Sequence, residues 1–168
     1  MKQIEVSQIT DNFVEIIGKE WMLVSAGDQE KLNTMTASWG GVGFLWGKPV
    51  VFVFIRPNRY TREFVEAKKS FTLSFLGEEQ REAYKICGSK SGRDTDKIAE
   101  AGLHPAFVPS GNPCFEEARL VLDCKVLFKS QMDKADFLDT TLVDRWYGPE
   151  AGGMHYVYVA EIANAYVR

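Results

Sequence analysis

Three segments of the chain carry side chains able to hold a planar, anionic ligand. The first is Asn33-Thr34-Met35-Thr36-Ala37-Ser38-Trp39-Gly40. Small hydroxylated residues at alternate positions of a strand share one face, and the glycines after Trp39 leave backbone that a ligand can approach closely. Such a strip can bind a flat heterocycle edge-on; a partly exposed strand with Trp39 in the core is the alternative. The second segment is Arg56-Pro57-Asn58-Arg59-Tyr60-Thr61, which leaves an apolar strand and starts a helix. Two guanidinium groups, a hydroxyl and a helix N-terminus on one turn suit a phosphate, unless Arg56 and Arg59 pair with surface carboxylates such as Glu63. The third is Gly88-Ser89-Lys90-Ser91-Gly92-Arg93-Asp94-Thr95-Asp96-Lys97, where turn N–H groups sit beside cationic side chains and a further helix start. Alone it reads as a solvated loop. Two basic helix starts and one hydroxyl-rich strand together fit one phosphorylated aromatic cofactor.

Other chemistries lack their residues. Gly47-Lys48 would need a glycine at position 42, which is Val42, and a Ser or Thr at position 49, which is Pro49, to cradle a nucleoside triphosphate. Gly41 and Gly43 begin a dinucleotide fingerprint, but Trp46 stands at the third glycine and a strand follows. His104 and His155 lie 51 residues apart and no cysteine pair has zinc-site spacing. Ser38 lacks the glycine that opens a nucleophile elbow. No side chain is assigned as catalytic, and none as a metal ligand.

The elements that must position these residues follow from composition and pattern. The chain has 168 residues, 45% of them hydrophobic and 26% charged, values of a globular protein read here as one domain over residues 1–168. The net charge of −3 disfavours a general nucleic-acid binder. The longest aliphatic-aromatic run, Val50 to Ile55, has six residues against roughly 18 for a membrane span. Met1 to Asn12 lacks the apolar block of a signal peptide, and three cysteines fit reduced thiols, so a cytoplasmic location is expected.

Strand chemistry marks Trp21 to Ser25, Thr34 to Trp39, Val50 to Arg56, Phe71 to Phe75, Leu120 to Lys129 and His155 to Val167. Helices are expected after a Thr61 cap, over Glu78 to Ile86, and from an Asp94 or Thr95 cap to Gly102. Pro105 to Glu117 reads as one long surface loop. Strands, then helices among the middle strands, then long strands again speak for a mainly antiparallel barrel with short helices packed outside.

In this order the segments resemble the flavin reductase-like family, whose members bind FMN in a split barrel, and its flavoredoxin-type branch in particular. The resemblance runs from about Trp21 to Val167 and rests on Asn33 through Gly40, Arg56 through Thr61, Phe71 through Leu76, and Ser91 through Lys97. It implies a six-stranded antiparallel split barrel of Greek-key character, assembled as a homodimer with FMN near the subunit interface. It also implies cofactor contacts from Asn33, Thr36, Ala37, Ser38, Trp39, Arg56, Asn58, Arg59, Thr61, Ser89, Ser91 and Lys97. His155 sits where relatives often place a histidine near the flavin. Many flavin reductases carry a Pro-Pro pair before the buried strand, where this chain has a single Pro49.

The activity implied is an FMN oxidoreductase that takes hydride from NADH or NADPH and passes electrons to free flavin or a redox partner protein. An FMN electron carrier without its own nicotinamide reaction, and a non-redox ligand-binding barrel, are the alternatives.

Overall fold

The computed structural model describes residues 1–168. Its framework is an antiparallel sheet built from β1 (Lys2–Ile4), β2 (Met22–Gly27), β3 (Leu32–Ala37), β4 (Gly40–Leu45), β5 (Lys48–Ile55), β6 (Ser70–Phe75), β9 (Leu120–Gln131) and β10 (Tyr156–Val167). The strand order is β3-β2-β6-β9-β10-β5-β4, with β1 on β10. The two ends of this path, β3 and β4, are joined by only Ser38 and Trp39, so the sheet curls round until its margins meet. That is a split barrel.

The 12-residue strand β10 organises the curl. It pairs with β9 along one side, while the other side takes β5 over Tyr156–Glu161 and β1 over Ala165–Val167. Register shifts at Val159/Ala160 and Ile162/Asn164 bend the strand, as bulges do.

Side chains of period two sort into two clusters. Met22, Val24 and Ala26 join Phe71, Leu73, Phe75, Leu120, Leu122 and Ile162 in a core to which all six long strands contribute. Leu23 and Val121 face the other way, onto Tyr84, Cys87, Leu103 and Phe115. Strands covered on both faces explain why these runs read as nearly continuous apolar sequence.

The six strands expected from sequence are present, and two more extend the sheet. β4 escapes a pattern search because its sequence is glycine-rich, but it hairpins onto β5 through Trp46-Gly47, both at positive φ (52° and 73°). Mirror-image turns of this kind match strand twist. The segment Pro105 to Glu117 is not a surface loop. It holds a hairpin of β7 (Pro105–Phe107) and β8 (Pro113–Phe115), with Cys114 and Phe115 buried in the second cluster. Proline at each strand's first residue lacks only a donor the short ladder does not use.

Helices α1 (Phe13–Glu15), α2 (Thr61–Lys68), α3 (Arg81–Ser89), α4 (Lys97–Glu100) and α5 (Thr141–Trp146) pack around the sheet. Two capping expectations are corrected. Thr61 is the first residue of α2 and not its cap, because Tyr60 is already helical and the Thr61 hydroxyl is taken by Asn33 Nδ2 at 2.8 Å. Asp96 caps α4 through Ala99 N–H, while Asp94 and Thr95 are spent in the preceding turn on Ser91 O. α5 had no expectation, its six residues being too short for a periodic signal. No helix is long and apolar enough to cross a membrane.

Tyr84 locks α3 to the sheet. Its hydroxyl accepts Leu76 N–H at 2.7 Å and its carbonyl accepts the Thr36 hydroxyl, all out of solvent at the ring. Tyr84→Phe strands the Leu76 N–H in the core and is expected to cost about 1–3 kcal/mol of unfolding free energy in urea titration. A loss below about 0.3 kcal/mol would contradict that assignment.

Candidate functional site

The three segments singled out in the sequence meet along β3. Asn33 donates to Thr61 at 2.8 Å, tying the strand to the start of α2. Gly92 packs against the same residue: a side chain there would place its Cβ 2.1 Å from Asn33 Oδ1. Arg93 lies over the Tyr60 ring at 4.5 Å and donates to Asn58 O at 3.3 Å. Its other terminal nitrogen pairs with Glu63, the carboxylate considered for Arg56 and Arg59.

Arg59 and Lys97 converge on the C-terminal end of α3. Arg59 Nη1 donates to Gly88 O at 2.9 Å, and Lys97 Nζ donates to Cys87 O and Lys90 O, each at 3.0 Å. The last carbonyls of a helix lack intrahelical donors and sit at the negative end of its dipole, so cations belong there. Geometry of this kind cannot be read from spacing, because it pairs side chains with backbone.

The charge balance is incomplete. Arg56, Arg59 and Lys97 form no ion pair with any carboxylate. Lys97 is only 3% exposed, and burial together with the neighbouring Arg59 charge pulls its ammonium down to about 8. Burial and the Arg56 charge likewise lower Arg59 from its ordinary value. Arg59 Nη2 is buried with no hydrogen-bond partner. An ammonium has three donors, so Lys97 also retains one beyond its two carbonyls. Donors of this kind, on cations without anionic partners, are what the terminal oxygens of a phosphate would satisfy.

Two clefts open along this strand. The larger, about 630 Å³, is polar and takes Lys31, Asn33, Gly92, Arg93, Thr95 and Lys97 into its walls. The smaller, about 180 Å³, is lined by Met35 through Trp39, Phe54, Arg56, Arg59 and His155. Thr36, Ala37, Ser38 and Trp39 therefore share a wall with Arg56, Arg59 and His155, and Asn33 shares one with Lys97. Thr61 stands behind Asn33. Ser91 orders its own turn by accepting Arg93 N–H at 3.2 Å. Ser89 and Asn58 line neither cleft: the Ser89 hydroxyl donates to Lys85 O at 2.7 Å, and Asn58 packs on Gly152.

A strap between β9 and β10, residues 132–154, packs against residues that wall the small cleft. Arg56 spreads its fork onto Gly153 O and Trp146 O, both at 2.9 Å, and lies over the Tyr147 ring at 5.1 Å. Trp146 meets Trp39 edge-on at 4.9 Å between centroids. Tyr147 reaches His155 Nδ1 with its hydroxyl at 2.9 Å. Phe54, Trp146 and Tyr147 were not expected at the site; the only sequence signal was an aromatic pair inside an otherwise charged segment.

The thiols are not poised for chemistry, since burial pushes Cys87 and Cys114 up to about 11.

The two histidines have opposite electrostatics. Burial, reinforced by Arg56, pulls His155 down to about 4, so it is neutral in the site at ordinary pH. Exposed His104 is raised above its usual value by its hydrogen bond to Glu117. A depressed histidine makes the unfolded chain the better proton binder, so His155 withdraws stability as pH falls from 6.5 towards 4, up to about 3 kcal/mol. His104 acts with the other sign and loses its contribution as pH rises through its elevated value. A proton NMR titration is expected to give one imidazole signal moving near pH 4 and one above 6.5. Arg56→Ala is expected to move only the acidic one, upward. Both histidines titrating near 6.5 would contradict the buried placement of His155.

Comparison with known proteins agrees with the fold. No curated protein matches the chain significantly. Among solved structures, an FMN-binding domain of a flavin reductases-like enzyme from Shewanella baltica superposes with a TM-score of 0.70 at 19% identity, over 99% of this chain and 76% of that one. A flavoredoxin from Methanosarcina acetivorans gives 0.68 at 22% identity, over 100% and 76%. A NADH:FAD oxidoreductase from Streptomyces globisporus gives 0.64 at 17% identity, over 89% and 75%. The family described as the flavin reductase like domain matches residues 16–168. Almost the whole barrel and all three site segments lie within that match, and the chain belongs to the flavin reductase-like family.

Proposed function

We propose that the chain binds FMN and acts as a flavin-dependent oxidoreductase, accepting hydride from NADH or NADPH and delivering electrons to free flavin or a partner protein. The observation that carries the cofactor is the unbalanced charge at the end of α3, above all the buried, unpartnered Arg59 Nη2. Arg59 and Lys97 hold the phosphate, with Ser91 and the start of α2 beside them. Asn33 and Thr36 through Trp39 border the ring system, and Trp39, Phe54 and neutral His155 give it an apolar, polarisable wall. Bound FMN supplies the reversible redox chemistry, which needs no acid or base from the chain. Relatives described as FMN-binding, as a flavoredoxin and as a NADH:FAD oxidoreductase support the same reading.

A second reading, an FMN carrier without a nicotinamide reaction, is favoured by one observation. Trp146 rests on Trp39 and the strap is pinned by Arg56, which narrows access for a second planar ligand. Stopped-flow absorbance at about 450 nm separates the two. Bleaching by NADH or NADPH supports the enzyme; bleaching only by a protein donor supports the carrier; purified protein that neither carries nor takes up FMN would contradict both.

The reading includes a homodimer with the cofactor near the subunit interface. The β4–β5 hairpin offers the apolar face for it: Phe44 is 74% exposed and Trp46 58%, with Trp46 set edge-on to Phe128 at 6.2 Å. Phe44→Glu combined with Trp46→Glu is expected to give a monomer by light scattering, whereas an unchanged mass would place the interface elsewhere.

Lys97→Met keeps the buried stem and removes the charge. FMN affinity is expected to fall about tenfold or more in this variant, with circular dichroism unchanged. Because a dianion favours the charged ammonium, FMN binding by the parent protein is expected to take up a proton at pH values above about 8, detected by calorimetry in buffers of different ionisation heat. Binding with no proton uptake there would contradict the role of Lys97.

A further inference from the structure

We propose that the strap between β9 and β10 is a docking surface for a basic electron-transfer protein, one whose apolar contact patch is rimmed by lysine or arginine. The choice of a redox partner rests on the flavoprotein reading; the surface itself rests on charge and exposure.

The strap, residues 132–154, holds five carboxylates against Lys134 and Arg145, a net charge of −3. The remaining chain balances, 18 cations to 18 carboxylates, so the whole net charge of the protein sits on this one segment. Local fields of one sign steer oppositely charged partners within a Debye length of about 8–10 Å. Among these carboxylates lies an apolar cleft of about 480 Å³, walled by Phe137, Leu138, Leu142 and Val157 and rimmed by Asp133, Asp136 and Asp139. Leu138 is fully exposed and Leu142 is 42% exposed. A leucine in open water beside an apolar hollow, ringed by acids, is the arrangement of an interface core with its polar rim.

The surface also backs onto the candidate cofactor site. Phe137 touches Tyr147 at 5.7 Å between centroids, Tyr147 touches His155 at 5.5 Å, and His155 touches Trp39 at 5.4 Å. A partner seated on Leu138 is therefore separated from the small cleft by one continuous set of packed aromatic rings. Arg56 fixes the geometry of this set through the strap carbonyls. The hairpin bearing Phe44 and Trp46 is the face assigned above to a second copy, which leaves the strap free for a different protein.

A basic cytochrome c serves as the probe. Binding to the flavin-loaded protein is followed by calorimetry, with Asp136→Lys plus Leu138→Ser as the test variant and Glu116→Lys as a single-charge control elsewhere on the surface. All three residues are exposed, so the fold should be untouched. Raising salt from about 20 to about 200 mM is expected to weaken binding roughly tenfold or more, and the test variant to weaken it by about tenfold or more at low salt, against less than about threefold for Glu116→Lys. Equal losses in the test variant and the control would reduce the effect to general charge attraction and overturn the proposal. So would absence of binding at low salt, or a Leu138→Ser variant that dissociates the protein's own oligomer, which would assign the surface to a second copy. Flavin content is read by absorbance in each sample. Colourless protein that still binds cytochrome c at the strap would overturn the cofactor reading and leave the docking surface standing.

Discussion

A partly buried cation without an acidic neighbour needs something else to hold it, and this site has three. Arg56, Arg59 and Lys97 come from two distant segments and are held by main-chain carbonyls. The carbonyls at the end of α3 tether Arg59 and Lys97 and leave part of their donor capacity unused. Carbonyls carry only partial charge, so the positive field survives where a carboxylate would have cancelled it. A helix end that exposes several carbonyls can anchor two cations without neutralising them, as the end of α3 does here.

The barrel exists to bring this about. β3 supplies one wall for both clefts, α2 and α3 are fastened to it through Asn33–Thr61 and Thr36–Tyr84, and the loop before α4 is pressed against Asn33 at Gly92. Each fastening is short and specific, so a small shift of α3 would move Gly88 and Cys87 and with them the two cations. Arg56 plays a separate part. Its fork clamps the strap, and its charge helps keep His155 neutral, so one side chain links the placing of the strap to the electrostatics of the small cleft.

Much of this was legible before any coordinates. The six long strands showed as β-branched and aromatic runs, and the three candidate site segments showed as clusters of hydroxyl, cation and glycine. What the sequence hid has physical causes. β4 is half glycine, so its strand character comes from pairing with β5 and not from propensity. β8 is buried but only three residues long, and Pro109 ahead of it and Pro113 at its first position are residues that also mark loops. Thr61 was misread as a cap because a hydroxyl at a helix start has two possible uses, and the long-range one, with Asn33, won. The partners of Arg59 and Lys97 are main-chain oxygens, and no pattern of side chains announces those. The role of Trp146 depends on where a 23-residue strap lies down, which spacing does not encode.

The positive field at the end of α3 has no carboxylate to balance it, and the function proposed above gives it a phosphate to hold. FMN and riboflavin differ only by that phosphate, so calorimetric affinities of the flavin-free protein for the two isolate its contribution. FMN is expected to bind tighter by about 100-fold or more at low salt, since two charge-assisted hydrogen bonds separate the ligands. Equal affinities would contradict it, because Arg59 and Lys97 would then be structural cations with no ligand to meet.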